Sequence, residues 1–214
     1  MKNITRSIWI LSLISLFTDM ASEMLYPIMP IFLQSIGFSV LFIGILEGLA
    51  EAVAGLSKGY FGRRSDLSGK RVPFVQLGYA LSAISKPLMA LFFQPFWVFF
   101  LRTLDRLGKG IRTGARDALL SDEASTATKA QVFGFHRSMD TLGAVLGPTL
   151  ALVYLYFYPA QYRVLFVAAF VPGVLAIFAS FLLREKKEVP VQIKPKPSFL
   201  DYLQYWRHST PHTS

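Results

Sequence analysis

Residues 102–117 read Arg-Thr-Leu-Asp-Arg-Leu-Gly-Lys-Gly-Ile-Arg-Thr-Gly-Ala-Arg-Asp and continue the apolar run Phe96–Leu101 without a break. Charges inside an apolar span are costly and mark a function or a set of counter-charges. On a helix turning about 100° per residue, Arg102, Asp105, Arg106, Lys109, Arg112, Arg116 and Asp117 fall within an arc of roughly 140°. Phe100, Leu104, Leu107, Ile111 and Ala118 take the other side. Carboxylates able to face that arc stand in other apolar runs: Asp19 with Glu23, Glu47 with Glu51, and Asp140 beside His136 and Arg137. The first two pairs are one helical turn apart, so each pair shares a face. Buried carboxylates can exchange protons or bind a cation, or they can neutralise arginines and hold helices together. Asp19 and Glu23 are the leading candidates for proton or cation coupling. Lys86, just before Pro87, is a further buried cation and is expected to have a structural partner.

The elements that must carry these residues follow from composition. The chain has 214 residues, 53% of them hydrophobic and 16% charged, where a soluble domain averages about 25% charged. The apolar residues come in runs near the roughly 20 residues that a bilayer core demands. Six transmembrane helices are expected, at about 7–33, 40–61, 72–93, 96–120, 132–157 and 164–183. The fold class is therefore all-α, a polytopic membrane protein with a six-helix bundle over 1–187. Residues 188–214 form a proline- and lysine-bearing linker with a short amphipathic segment. The N-terminal run has basic residues before it, but it holds Asp19 and Glu23 and reads as a retained helix rather than a cleaved leader.

Orientation follows from Lys and Arg in the short loops. Lys2, Arg6, Arg63, Arg64, Lys70, Arg71, Lys129, Arg184, Lys186 and Lys187 collect on one side, against Arg163 on the other. Both termini are expected in the cytoplasm, with the protein in the plasma (inner) membrane. The net charge of +9 fits this asymmetry; its basic residues sit between apolar runs, which excludes a nucleic-acid face. Cysteine is absent, so no disulfide or thiolate metal site exists. His136 is the one histidine before residue 208, and Gly108-Lys-Gly110 lacks the spacing of a phosphate loop. No enzyme chemistry, metal or cofactor is expected. The bilayer is the first partner.

Three motifs carry a resemblance. Gly62-Arg-Arg-Ser-Asp66-Leu-Ser-Gly69-Lys70-Arg71 resembles the signature between helices two and three of the major facilitator superfamily. Arg102 with Gly108 and Gly110 resembles that family's fourth-helix motif, here with Asp105, Arg106 and Lys109 added. Gly143-Ala-Val-Leu-Gly147-Pro148 resembles the fifth-helix motif of the family's antiporters, although Thr149-Leu-Ala151 replaces the glycine pair that completes it. Small residues four apart also serve ordinary close packing, and Pro148 bends a helix.

The resemblance implies half of a major facilitator fold, and secondary transport of a small solute by alternating access, coupled to protons or another cation. Export is mildly favoured by the fifth-helix motif. It implies coupling at Arg102, and a cytoplasmic gate in which Asp122 pairs with Lys70 or Arg71 and Asp66 pairs with an arginine such as Arg116. Arg102 to Lys109 would then serve the cavity, and Arg112 to Asp122 the gate. A second six-helix half is needed, from the remainder of a longer protein or from another chain. The alternative function is a non-transporting membrane subunit, a scaffold or regulator whose charged face binds a partner membrane protein.

Overall fold

A computed structural model describes residues 4–185, all of whose regular elements are helices. These are α1 (Arg6–Glu23), α2 (Met29–Ser35), α3 (Val40–Ser68), α4 (Val72–Met89), α5 (Pro95–Glu123), α6 (Lys129–Phe157), α7 (Tyr162–Ala168) and α8 (Phe170–Ser180). The expected linker, its amphipathic segment, Lys2, Lys186 and Lys187 lie outside the described residues.

Two expected spans are broken, each at a proline. The first divides at residues 24–28, because Pro27 has no N–H for the Glu23 carbonyl; Pro30 then sits in the first turn of α2, where that loss is harmless. The sixth divides at Ala169, because Pro172 leaves the Ala168 carbonyl without its helical donor. By length and composition three stretches can each cross a bilayer: Val40–Ser68, Lys129–Phe157 and Tyr162–Ser180. The charges of α5 keep it outside that set.

The expected loop 62–71 is also corrected. Gly62 to Ser68 continue α3, and the turn comes only at Gly69, whose φ of 61° is the left-handed conformation that glycine adopts without strain. Asp66 therefore lies in the last turn of α3.

The helices pack in two matching groups. α5 lies between α3 and α4, and α1 lies between α6 and α8; α4 against α8 joins the groups, while α1 and α5 meet only sparsely. Close approaches set this spacing. A Cβ on Gly108 would meet the Gly78 carbonyl of α4 at 2.7 Å, and one on Gly114 would meet Gly62 Cα of α3 at 2.9 Å. Gly143 and Gly147 sit directly on the α1 backbone at Leu16 and Met20. Two apolar cores close the ends. Phe32, Leu33, Leu46, Met89, Leu101 and Phe166 fill one; Ile8, Leu11, Ile14, Val75, Leu120 and Val132 fill the other. The polar residues lie between them. Large apolar side chains such as Leu41, Leu56, Phe100, Leu152 and Phe178 face outward, as expected of lipid-facing helices.

Candidate functional site: a charged cleft between α1, α5 and α6

The charged arc of α5 is divided among three surroundings. At about 100° per residue, Arg102, Arg106 and Asp117 occupy one edge of it, and Asp105 and Arg112 the other. The first edge faces α3. Arg102 donates to both Glu47 oxygens, from Nε at 2.8 Å and Nη2 at 2.9 Å. Arg106 Nε stands 3.1 Å from Glu51 Oε1, a charge contact rather than an aligned hydrogen bond, and its guanidinium lies 5.7 Å from the Tyr26 ring centre. Asp117 pairs with Lys58 at 3.5 Å. The second edge faces α4. Lys86 Nζ donates to Asp105 Oδ1 at 3.1 Å and to the Ser82 carbonyl at 2.7 Å. Arg102 also reaches Asp105 at 3.6 Å. Arg112 donates to Ser82 Oγ at 2.6 Å and stacks 4.8 Å from the Tyr79 ring centre.

The middle of the arc, Lys109 and Arg116, opens on a cleft of about 380 Å³. Asp19 and Glu23 line it from α1, Lys109, Arg112, Thr113 and Arg116 from α5, and Arg137, Asp140, Thr141 and Ala144 from α6. Asp19 lies within electrostatic reach of Arg112 and Arg116. Among the described residues the side chains of Asp19 and Glu23 have no hydrogen bond and no ion pair within 4 Å, and the same holds for the side chain of Lys109. Arg112 is buried with a hydroxyl and a ring for partners but no carboxylate within that distance. Arg116 is held by Asp117 at 2.9 Å and Ser15 Oγ at 3.2 Å. Unspent charge of both signs is what a site for a polar solute or an exchangeable cation needs.

The sequence candidates therefore separate. Asp19, Glu23, Lys109, Arg112, Arg116 and Asp140 come together at the cleft; Glu47, Glu51, Arg102, Asp105 and Arg106 are committed to one another and to Lys86. The division expected along α5, with Arg102 to Lys109 at the cavity and Arg112 onward elsewhere, is not the geometric one. Helix rotation, more than depth, sorts these residues.

At the other candidate cluster, Arg71 reaches Asp122 directly, as expected, and Asp66 at 3.5 Å. Arg116 does not meet Asp66: it lies higher on α5, turned toward Asp117 and α1. Sequence reasoning missed Glu185. Its carboxylate accepts the N–H groups of Arg71 and Val72 at 2.8 and 2.9 Å, capping α4 from the far end of the chain's described part. Lying in the Arg184-Glu-Lys-Lys187 run, it reads in sequence as part of a basic boundary. Tyr79 and Ser82 were also missed, since their partners sit on α5, while Lys86, expected to have a structural partner, finds it in Asp105. Among the described residues no cluster of side chains is suited to a metal.

Comparison with known proteins agrees with this architecture. The chain is 35% identical over 185 residues to the uncharacterized MFS-type transporter MJ1317 of Methanocaldococcus jannaschii, covering 86% of this chain and 46% of that protein. It is 28% identical to the uncharacterized MFS-type transporter YqjV of Bacillus subtilis, over 72% of this chain and 37% of that one. The chain thus spans about half the length of the curated relatives it matches or less. The crystal structure of the human organic anion transporter MFSD10 (TETRAN) superposes with a TM-score of 0.72 at 20% identity, over 92% of this chain and 51% of that one. The fold is shared, and the family model that matches residues 11–210 is that of the Major Facilitator Superfamily, to which the chain belongs.

Proposed function

We propose that the chain forms one six-helix half of a secondary transporter that moves a small solute by alternating access, with proton-coupled export as its mode. It sits in the plasma membrane with both termini in the cytoplasm, and a second six-helix half supplies the opposite wall of the cleft. The carrying observation is the mid-depth cleft in which Asp19 and Glu23 face Lys109 and Arg112 without being spent on protein contacts. A carboxylate free of protein partners can take up a proton on one side and yield it on the other. Arg102, Arg106 and Asp105 serve instead as the braced support that fixes α5 between α3 and α4. The Arg71–Asp122 and Arg71–Asp66 contacts act as the cytoplasmic latch that breaks when the cleft opens inward.

The test is reconstitution of the chain together with its second half in proteoliposomes carrying an internal pH dye. Solute-dependent proton movement is expected, and Asp19→Asn is expected to abolish it with helix content intact. Proton movement of unchanged rate in Asp19→Asn would refute the coupling role. No solute or proton flux with the second half present would favour the non-transporting subunit.

A further inference from the structure

Behind the cleft wall, α6 carries a titratable pair that the proposed mechanism leaves unused. His136 and Asp140 are one helical turn apart, and both are buried against α1, at 4% and 6% exposure. His136 Nε2 stands 3.6 Å from Asp140 Oδ1, and these two atoms are buried without a hydrogen-bond partner of their own. On the other side of the ring, Nδ1 lies 3.4 Å from Ser12 Oγ of α1. Asp140 also lines the cleft, whereas His136 sits one turn behind it.

This geometry admits few protonation states. A bare Nε2 lone pair facing a carboxylate oxygen is repulsive, so Nε2 carries a proton toward Asp140, and in the neutral ring Nδ1 accepts from the Ser12 hydroxyl. A second proton entering at Nδ1 reverses that last bond, since a hydroxyl both donates and accepts: the imidazolium then donates to Ser12 Oγ and faces Asp140 at 3.6 Å as a buried ion pair. We infer that His136 and Asp140 form a proton-binding site in the wall of the cleft, separate from Asp19 and Glu23. Other charges face it from each neighbouring helix. Arg137 on α6 itself approaches Asp140 at 4.0 Å; Arg116 and Asp117 act on the ring from α5; Asp19 approaches Asp140 from α1. Burial opposes the second proton first, then Arg116 and Arg137, while Asp140 and Asp117 favour it. Occupancy is therefore sensitive to any ligand or motion that changes the charge in the cleft.

Binding of the proton does not require the transport reading; only its use in coupling rests on that reading. The test is NMR of the full chain in lipid nanodiscs, with labelled histidine and His208→Gln and His212→Gln removing the two other histidines. The His136 ring is expected to titrate between its neutral and doubly protonated forms. At the pH where half the rings are imidazolium, Asp140→Asn is expected to lower the ratio of imidazolium to neutral ring about tenfold, the loss of one carboxylate contact. Asp140→Glu, which keeps the charge, should restore most of it. A ring that stays in one form from pH 4 to 9, or a ratio unchanged in Asp140→Asn, overturns the site. A titrating ring in a protein that moves no solute leaves the site standing and sinks the transport reading alone.

Discussion

Lys86 and Asp105 form an ion pair of 3.1 Å between α4 and α5 in which both residues are almost wholly buried. The pair is joined to Glu47 through Arg102, so three helices share one chain of alternating charge. A pair of this kind stabilises little against an apolar substitute, but removing one member leaves an uncompensated buried charge. Lys86→Met is therefore expected to cost about 3–5 kcal/mol, and Lys86→Met with Asp105→Leu to recover most of that. Unfolding of the purified variants in detergent measures it. A double variant as unstable as the single one would show that the pair holds the helices by more than mutual neutralisation.

Arg102 serves the same brace. Its bidentate bond to Glu47 is planar and fork-shaped, which lysine cannot reproduce. Arg102→Ala is expected to lower the melting temperature and to reduce transport in the assembled two-half protein, and Arg102→Ala with Glu47→Gln to regain stability. Transport that stays lost once stability has returned would place Arg102 in coupling itself.

Gly143 and Gly147 of α6 are expected to be intolerant of any side chain. A Cβ at Gly147 would collide with the Met20 carbonyl and with Met24 N at 2.8 Å, both rigid backbone. Gly147→Ala should separate α1 from α6 and cost about 1–3 kcal/mol, the usual range for overpacking. Gly55 on α3 has open space around it, and Gly55→Ala should be neutral or slightly stabilising, since alanine is the better helix former. Thermal unfolding of the two variants side by side tells them apart; equal effects would contradict the packing.

Glu185 closes the start of α4. Glu185→Gln keeps the shape and loses the charge, so the Arg71 and Val72 amides should exchange hydrogen about five- to tenfold faster, a loss of about 1 kcal/mol. Exchange of the α4 interior should be unchanged. Mass spectrometry of exchange in nanodiscs would show this, and protection equal to that of the native chain would mean that water or another group caps the helix as well.

Apolar run length located the helices, and the small residues of α6 marked close contacts. The family resemblance paired Asp122 with Lys70 or Arg71, and Arg71 is found against it. Asp19, Glu23 and Asp140 were named together with α5 charges and do meet them at the cleft. The breaks at residues 24–28 and at Ala169 were foreshadowed by Pro27 and Pro172, yet a hydropathy run passes over both because prolines interrupt hydrogen bonding and not apolarity.

The sequence by itself determined that seven charged residues of α5 share one arc, because helical periodicity depends only on spacing along the chain. Which neighbour each one meets was decided by the tertiary structure. That arc, roughly 140° wide, faces α3 at one edge, α4 at the other and the cleft between them. The partition depends on the rotation and depth at which α5 is seated, and these are set by backbone contacts at Gly108 on Gly78 and Gly114 on Gly62. Residues on different helices have no fixed relation in sequence, so Arg102 with Glu47, Lys86 with Asp105 and His136 with Ser12 became visible only once the helices were packed.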